Sequence, residues 1–133
     1  MVETSIFTKI IHGDIPSHKI YEDNKTFAFL DINPIQPGHT LVVPKTQVDN
    51  LWSLEEADYS AVMSTCKKLA NHLQTTLEKR VGVQVIGIDV PHAHVHLIPF
   101  SSIEEFRTVP KTGSEPNHEQ LSLMAQKLMY RDD

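Results

Sequence analysis

The spacing of apolar residues changes period along the chain, and each change predicts an element. Ile6, Phe7, Ile10 and Ile11 recur at helical spacing behind Thr4 or Ser5, either of which can cap a short opening helix. Gly13 stops it, with Pro16 beyond. Lys19 to Glu22 and Thr26 to Leu30 read as strands joined at Asp23-Asn24, a polar turn that predicts a hairpin. Asp31 to Gly38 carries Pro34 and Pro37, each of which removes a donor and restricts the residue before it, so a loop is expected there. Thr40 to Val43 is the third strand. Ser53-Leu54-Glu55-Glu56 has the form of a capping box, and Val62, Cys66, Leu69, Ala70, Leu73 and Leu77 follow at helical spacing. This predicts a long helix from about 54 to about 79, with Trp52 packed ahead of it and Lys79-Arg80 at its basic end.

Val83 to Ile88 reads as a fourth strand and His92 to Ile98 as a fifth, joined by Asp89-Val90-Pro91, a connection short enough to favour antiparallel neighbours. Asn117 to Gln120 can cap a last helix bearing Leu121, Met124, Leu128 and Met129, while 101–115 shows little pattern. The expected fold is α+β: a five-stranded, mostly antiparallel sheet with one long helix and shorter terminal helices.

Composition narrows this picture. At 133 residues the chain suits one compact domain, and its 40% hydrophobic and 22% charged content is ordinary for a globular protein. The formal net charge of −5 argues against a broad nucleic-acid footprint. Cys66 is the one cysteine, which excludes an internal disulfide and a Cys-x-x-Cys zinc site and points to a reducing compartment. No apolar run reaches the roughly 18 residues that span a bilayer, and Met1-Val2-Glu3-Thr4 begins no signal peptide, so a cytoplasmic location with no membrane partner is expected.

The chemistry lies in His92-Ala93-His94-Val95-His96. On a strand, alternate side chains share a face, so three imidazoles line one side while Ala93, Val95 and Leu97 enter the core. Three readings compete. Idle surface histidines are disfavoured, because exposed strand positions are usually Thr, Lys, Glu or Ser. A metal site is strained by distance: residues two apart on a strand lie roughly 6.8 Å apart, so three such ligands do not easily converge on one ion, although two with His39 or Asp89 could. Nucleophilic catalysis at phosphorus fits a neutral imidazole that gives one N–H to a fixed acceptor and exposes the other lone pair. His12, His18, His72 and His118 fall in turns or on helix surfaces and read as structural or idle.

The run His92 to Ile98 resembles the His-φ-His-φ-His-φ-φ signature (φ apolar) of the histidine triad family of nucleotide hydrolases and transferases. Ser5-Ile6-Phe7, Lys9-Ile10-Ile11, Ile15-Pro16 and Tyr21-Glu22-Asp23 are similar to the opening of its Hint branch. Phe29 to Pro34 and Gly38 to Lys45 resemble the next block. The resemblance covers about residues 5 to 100 and implies one histidine triad domain over 1–133, with 101–133 as a C-terminal extension that includes a helix.

It further implies that His94 attacks the α-phosphate of a purine nucleotide or nucleoside phosphoramidate to give a nucleotidyl-histidine that water resolves, with no cofactor and no metal. The His92 carbonyl would hold the tautomer of His94. His92 and His96 would flank the phosphate, with His39 beside them. Asp31 would bind the ribose hydroxyls, and Ile6, Phe7, Ile10, Phe29 and Ile32 would surround the base, each of the five having a core role as its alternative, Ile10 and Phe29 above all. A homodimer is also implied. One block departs from the pattern, since Ile88 and Asp89 stand where the family has glutamine and a hydroxyl residue. A carboxylate there repels phosphate, which keeps open a nucleotide-binding module with little turnover that acts through partners.

Overall fold

The computed structural model describes residues 3–109 and 115–132. Met1 and Val2, which open the segment read against a signal peptide, and 110–114, in the stretch of little pattern, lie outside the described residues. In chain order the elements are α1 (Ile6–Ile11), β1 (Lys19–Glu22), β2 (Thr26–Leu30), β3 (Thr40–Pro44), a 3₁₀ turn (Leu51–Ser53), α2 (Glu56–Leu77), β4 (Arg80–Gln84), β5 (Val95–Phe100), α3 (Ile103–Phe106) and α4 (His118–Leu128). The strands form one sheet in the order β1-β2-β3-β5-β4, and every neighbouring pair is antiparallel. This is the α+β arrangement that the apolar periods predict.

Local chemistry sets the element ends. Asp23 Oδ1 accepts from the Lys25 and Thr26 amides (2.9 and 2.8 Å) and from the Thr26 hydroxyl (2.9 Å), which closes the β1–β2 hairpin. Ser5 Oγ accepts from the Thr8 amide at 3.0 Å and caps α1, and Asn117 Oδ1 accepts from the Gln120 amide at 3.1 Å and caps α4. Both central strands, β2 and β3, are buried on both faces. On one face Ala28, Leu30, Val42, Val95 and Leu97 pack against Val62, Cys66, Leu69 and Leu73 of α2 and Leu121, Ala125 and Leu128 of α4. On the other, Phe27, Phe29, Leu41 and Val43 pack against Phe7 of α1. His72 on α2 donates through Nε2 to the Leu128 carbonyl at 3.0 Å, which ties α2 to the end of α4. Burial pushes the Cys66 thiol up to about 12, so this cysteine is a small core residue rather than a reactive one.

Several expectations are corrected. The capping box at Ser53 does not form: Leu51 and Leu54 both turn into the core, and the 3₁₀ turn this requires is capped by Asn50 Oδ1 on the Trp52 amide (2.9 Å). The long helix therefore starts at Glu56 behind Glu55, which makes no side-chain cap, and Glu56 and Asp58 face its positive end instead. Trp52 is 71% exposed and leans on Tyr59 rather than stapling the helix. The helix ends at Leu77, with Glu78 in the left-handed region (φ 53°), and Arg80 belongs to a strand instead of a basic helix end. That strand, β4, lies earlier than the predicted 83–88 because it pairs Arg80 with Phe100 and Gln84 with His96, so Val85 to His94 becomes the connection. His92 and His94 consequently precede β5 instead of lying within it. The short α3 was unforeseen; Ser102 Oγ accepts from the Glu105 amide at 3.3 Å while Glu105 Oε1 accepts from the Ser101 amide at 2.6 Å. Its Phe106 lies over Gly82, where any Cβ would sit 2.3 Å from the ring. No helix among the described residues is long and apolar enough to cross a membrane.

Candidate active site

The register of β3 against β5 sets the site. Phe29 pairs with Leu41 and Leu41 with His96, so the three side chains share the α1 face across adjacent strands. Leading into β5, the Ala93 amide donates to the Val48 carbonyl at 2.7 Å, and the His92 amide donates to the Val90 carbonyl at 2.8 Å. This holds the approach extended enough that Ala93 and Val95 still enter the α2 core while His92 and His94 turn to Phe7, at centroid separations of 5.9 and 5.0 Å. His39 comes from the loop before β3. Gly38 shapes that loop with φ +91°, at a point where a Cβ would lie 2.8 Å from Leu77 and 3.1 Å from Pro99.

Hydrogen-bond partners fix where each ring proton must sit, since an amide only donates and a carbonyl only accepts. The Ile35 amide donates to His39 Nδ1 at 3.0 Å, so His39 carries its proton on Nε2 and gives it to His96 Nδ1 at 2.9 Å. Neutral His96 then presents an Nε2–H. His94 Nδ1 donates to the His92 carbonyl at 2.8 Å, which leaves the lone pair on His94 Nε2. Among the described residues no enclosed side-chain nitrogen or oxygen lacks a partner, so the unbonded Nε2 of His94 opens to solvent. The His94 and His96 rings stand 5.1 Å apart, edge to face. His92 donates through Nε2 to the Pro44 carbonyl at 2.7 Å, and its Nδ1 accepts from Ser5 Oγ at 2.8 Å.

Burial sets the electrostatics. His39 is 2% exposed, and desolvation pushes its pKa down to about 4. His96 is also pushed down to about 4, first by desolvation and then by His39 and His94, while the charges of Asp31 and Asp89 act the other way. His92 is lowered by the same desolvation, partly offset by its Pro44 bond. Asp31 is raised by burial, against the Asn33 amide that donates to its Oδ1 at 2.8 Å. Its other oxygen stands 3.7 Å from His39 Nε2. The imidazoles of His39, His92 and His96 are therefore neutral near pH 7.

The predicted residues fall into three groups. His39, His94, His96, Asp31 and Phe7 come together, with Phe7 buried against His94 and edge-on to Phe29 at 5.5 Å. Phe29 and half-buried Ile10 belong to the packed cluster behind Phe7, whereas Ile6 and Ile32 are exposed. Asp89 is exposed but near enough for its charge to act on His96, and Ile88 beside it is 82% exposed. His92 is placed differently from the other two histidines of the run. Its ring is fully buried with both nitrogens occupied, so it stands behind His94 and offers the site its carbonyl, not its ring. Sequence reasoning missed Thr8, Gln47 and Pro44 around that ring, and saw Ser5 as a cap alone. The hydroxyls at Ser5 and Thr8, three residues apart at the start of α1, were the available signal.

Asp31, His39 and His96 place three ligand-type atoms within 4.8 Å of one another, the one such group of metal-ligand spacing among the described residues. The bond from Ile35 opposes metal here, because it obliges His39 Nε2 to keep the proton that an ion would have to displace.

Known proteins resemble this chain in sequence and in fold. Residues 12–103 match the HIT domain family. A HIT-like protein of Borreliella burgdorferi is 40% identical over 102 residues, covering 71% of this chain and 73% of that protein. The adenosine 5'-monophosphoramidase of Saccharomyces cerevisiae is 31% identical over 128 residues, 95% of this chain and 81% of the yeast enzyme. The crystal structure of a Hit-like protein from Bartonella henselae superposes with a TM-score of 0.80 at 30% identity, covering 94% of each chain. With its histidine run, its sheet and these matches in agreement, the chain belongs to the HIT, or histidine triad, family.

Proposed function

We propose that this protein is a nucleotide hydrolase or nucleotidyl transferase that cleaves purine nucleoside phosphoramidates, or related nucleotides, at the α-phosphate. The observation that carries the reading is the 2.8 Å bond from His94 Nδ1 to the His92 carbonyl, which leaves Nε2 as a free lone pair facing solvent. His94 Nε2 forms a bond to phosphorus as the bond to the leaving amine breaks, and the amine takes up a proton. The nucleotidyl-imidazolium is stabilised through its Nδ1–H by the His92 carbonyl. Water then attacks phosphorus, the electron pair of the P–N bond returns to His94, and the proton that water loses restores the balance. His96 donates its Nε2–H to a phosphoryl oxygen, held in that tautomer by His39. Asp31 accepts from the ribose hydroxyls, and Ile6 and Ile32 cover the base over Phe7, with Ile10 and Phe29 as backing. The name of the yeast relative supports the adenosine phosphoramidate class. The step is assigned to these side chains, with no metal or organic cofactor.

A homodimer is part of the reading. Strand β4 is a sheet edge with Val83 exposed on it and Val85 and Ile86 exposed just after its end, a surface suited to pairing with a second copy. A second reading, a nucleotide-binding module with little turnover, is favoured by the charge of Asp89, which acts weakly on His96 and would oppose a phosphate bound there. Assaying release of AMP from adenosine 5'-phosphoramidate, with a guanosine analogue in parallel, separates the two. Steady release supports the enzyme, and tight AMP binding without release supports the module.

A further inference from the structure

We propose that Ser5 is a positioning residue of this site, whose hydroxyl proton fixes the His92 ring and through it the carbonyl that orients His94. The inference rests on the reading of His94 as nucleophile. Its basis is a count of donors and acceptors in a buried cluster that links the segment before α1 to the histidine run.

Pro44 offers only a carbonyl to His92 Nε2, at 2.7 Å, so in neutral His92 the ring proton is on Nε2 and Nδ1 must accept. Two hydroxyls approach Nδ1: Ser5 Oγ at 2.8 Å and Thr8 Oγ1 at 3.3 Å. Thr8 has a better acceptor for its proton in Gln47 Oε1, at 2.8 Å. Gln47 Oε1 also accepts from the Ser5 amide at 2.8 Å, and its Nε2 donates to the Glu3 carbonyl at 2.8 Å, so the amide cannot be turned over without losing bonds on both sides. The Ser5 hydroxyl then has two acceptors within reach, Thr8 Oγ1 at 3.2 Å and His92 Nδ1 at 2.8 Å, and the shorter contact makes Ser5 the donor to His92. Its lone pair is at the same time the acceptor for the Thr8 amide that caps α1.

Ser5 therefore does two separable things. Its oxygen caps the helix that seats Phe7 against His94, and its proton satisfies a nitrogen of a ring that is fully buried. Without that proton, the hydroxyl left near the enclosed His92 Nδ1 is Thr8 Oγ1 at 3.3 Å, whose own proton is held by Gln47 Oε1 at 2.8 Å. The ring must then turn or take up a proton of its own. Either response disturbs the residue whose carbonyl stands 2.8 Å from His94 Nδ1.

Three substitutions separate the two roles. Ser5→Thr keeps the acceptor and the proton. Ser5→Asp keeps a good N-cap acceptor but brings no proton and draws one onto His92 Nδ1. Ser5→Ala loses both. The measurements are kcat and KM for adenosine 5'-phosphoramidate, together with nitrogen-15 NMR of the imidazole tautomers in each full-length protein. Ser5→Thr should stay within about twofold of wild type, while Ser5→Asp and Ser5→Ala should each lose about tenfold or more in kcat with little change in KM, the scale expected when a partner of a catalytic group is removed. The spectra should show the Nε2–H tautomer of His92 in wild type and Ser5→Thr, and a second proton on its Nδ1 in Ser5→Asp with an altered His94 Nδ1–H signal. A Ser5→Asp protein with wild-type kcat and an unchanged His94 signal would reduce Ser5 to a cap and overturn the proposal. If wild type itself turns over no phosphoramidate, the nucleophile reading fails, and the His94 signal in Ser5→Asp against Ser5→Thr still decides whether Ser5 positions that ring.

Discussion

The two faces of the sheet are both buried, yet they are held by different physics. Against α2 and α4 the sheet presents Leu30, Val42, Val95 and Leu97 to Leu69, Leu73 and Leu128, and the hydroxyl pair Thr26–Thr65 (2.8 Å) is a buried side-chain bond there. Against α1 a smaller cluster of Phe7, Phe27, Phe29, Leu41 and Val43 gives way to His92, His94, His96 and His39. On the first face volume and apolar area decide stability. On the second the protons decide: each imidazole has one arrangement that satisfies its neighbours, and these arrangements end at a lone pair on His94 Nε2 and at an N–H on His96 Nε2. A substitution should therefore be read by what it removes, atoms on one face or a hydrogen bond on the other.

The sharpest break of this contrast comes from His94→Ala. It should reduce turnover of an adenosine phosphoramidate to below about a hundredth of wild type, while nucleotide affinity stays within about tenfold, because the nucleophile makes little ground-state contact. Steady-state assays and calorimetry on the same preparation check both halves. On the opposite face, Leu73→Ala should cost roughly 2–5 kcal/mol in chemical denaturation, by lost burial plus a cavity, with kcat per folded molecule unchanged. A large fall in kcat there would mean that the faces are not independent.

A third test uses pH. His39 and His96 are held at about 4, against an ordinary value of 6.5, so the unfolded chain binds their protons at a higher pH than the folded one. Stability should be complete above about pH 6.5 and drain away as pH falls toward 4, by roughly 3 kcal/mol at most for each proton and less for two in contact. Denaturation curves across that range measure the slope, and His39→Gln should flatten it. The smallest effect is expected at Asp89. Replacing this carboxylate in Asp89→Ser should relieve repulsion of about 1 kcal/mol and tighten AMP binding about fivefold. Unchanged affinity would place Asp89 away from the ligand.

The legible parts of the chain were those governed by local period. Strands β1 to β3, the body of α2, the caps at Ser5 and Asn117 and the inward direction of Ala93, Val95 and Leu97 all follow from spacing and turn chemistry. What spacing could not place depended on partners far away in sequence. The run Val81-Gly82-Val83-Gln84-Val85 alternates equally well in several frames, and only its register against Phe100 and His96 puts the strand at Arg80–Gln84. The capping box at Ser53 was a sound local signal that lost to the burial of Leu51 and Leu54. Ser102 does cap α3 through the Glu105 amide, with the Glu105 carboxylate accepting from the Ser101 amide, within a stretch whose apolar residues show little pattern. At the site, the histidine run named the nucleophile candidate, but its tautomer depends on Ile35, Pro44 and Ser5. Ser5 lies 87 positions from His92, a contact no local pattern reveals.

The central claim is that His94 carries the nucleotide covalently. Rapid mixing of the protein with adenosine 5'-phosphoramidate, an alkaline quench and peptide mass spectrometry test it directly. The account predicts a burst before steady state and a single adenylyl adduct on the peptide that contains His94, absent from His94→Ala. Full turnover with neither burst nor adduct, or an adduct on another residue, would contradict it.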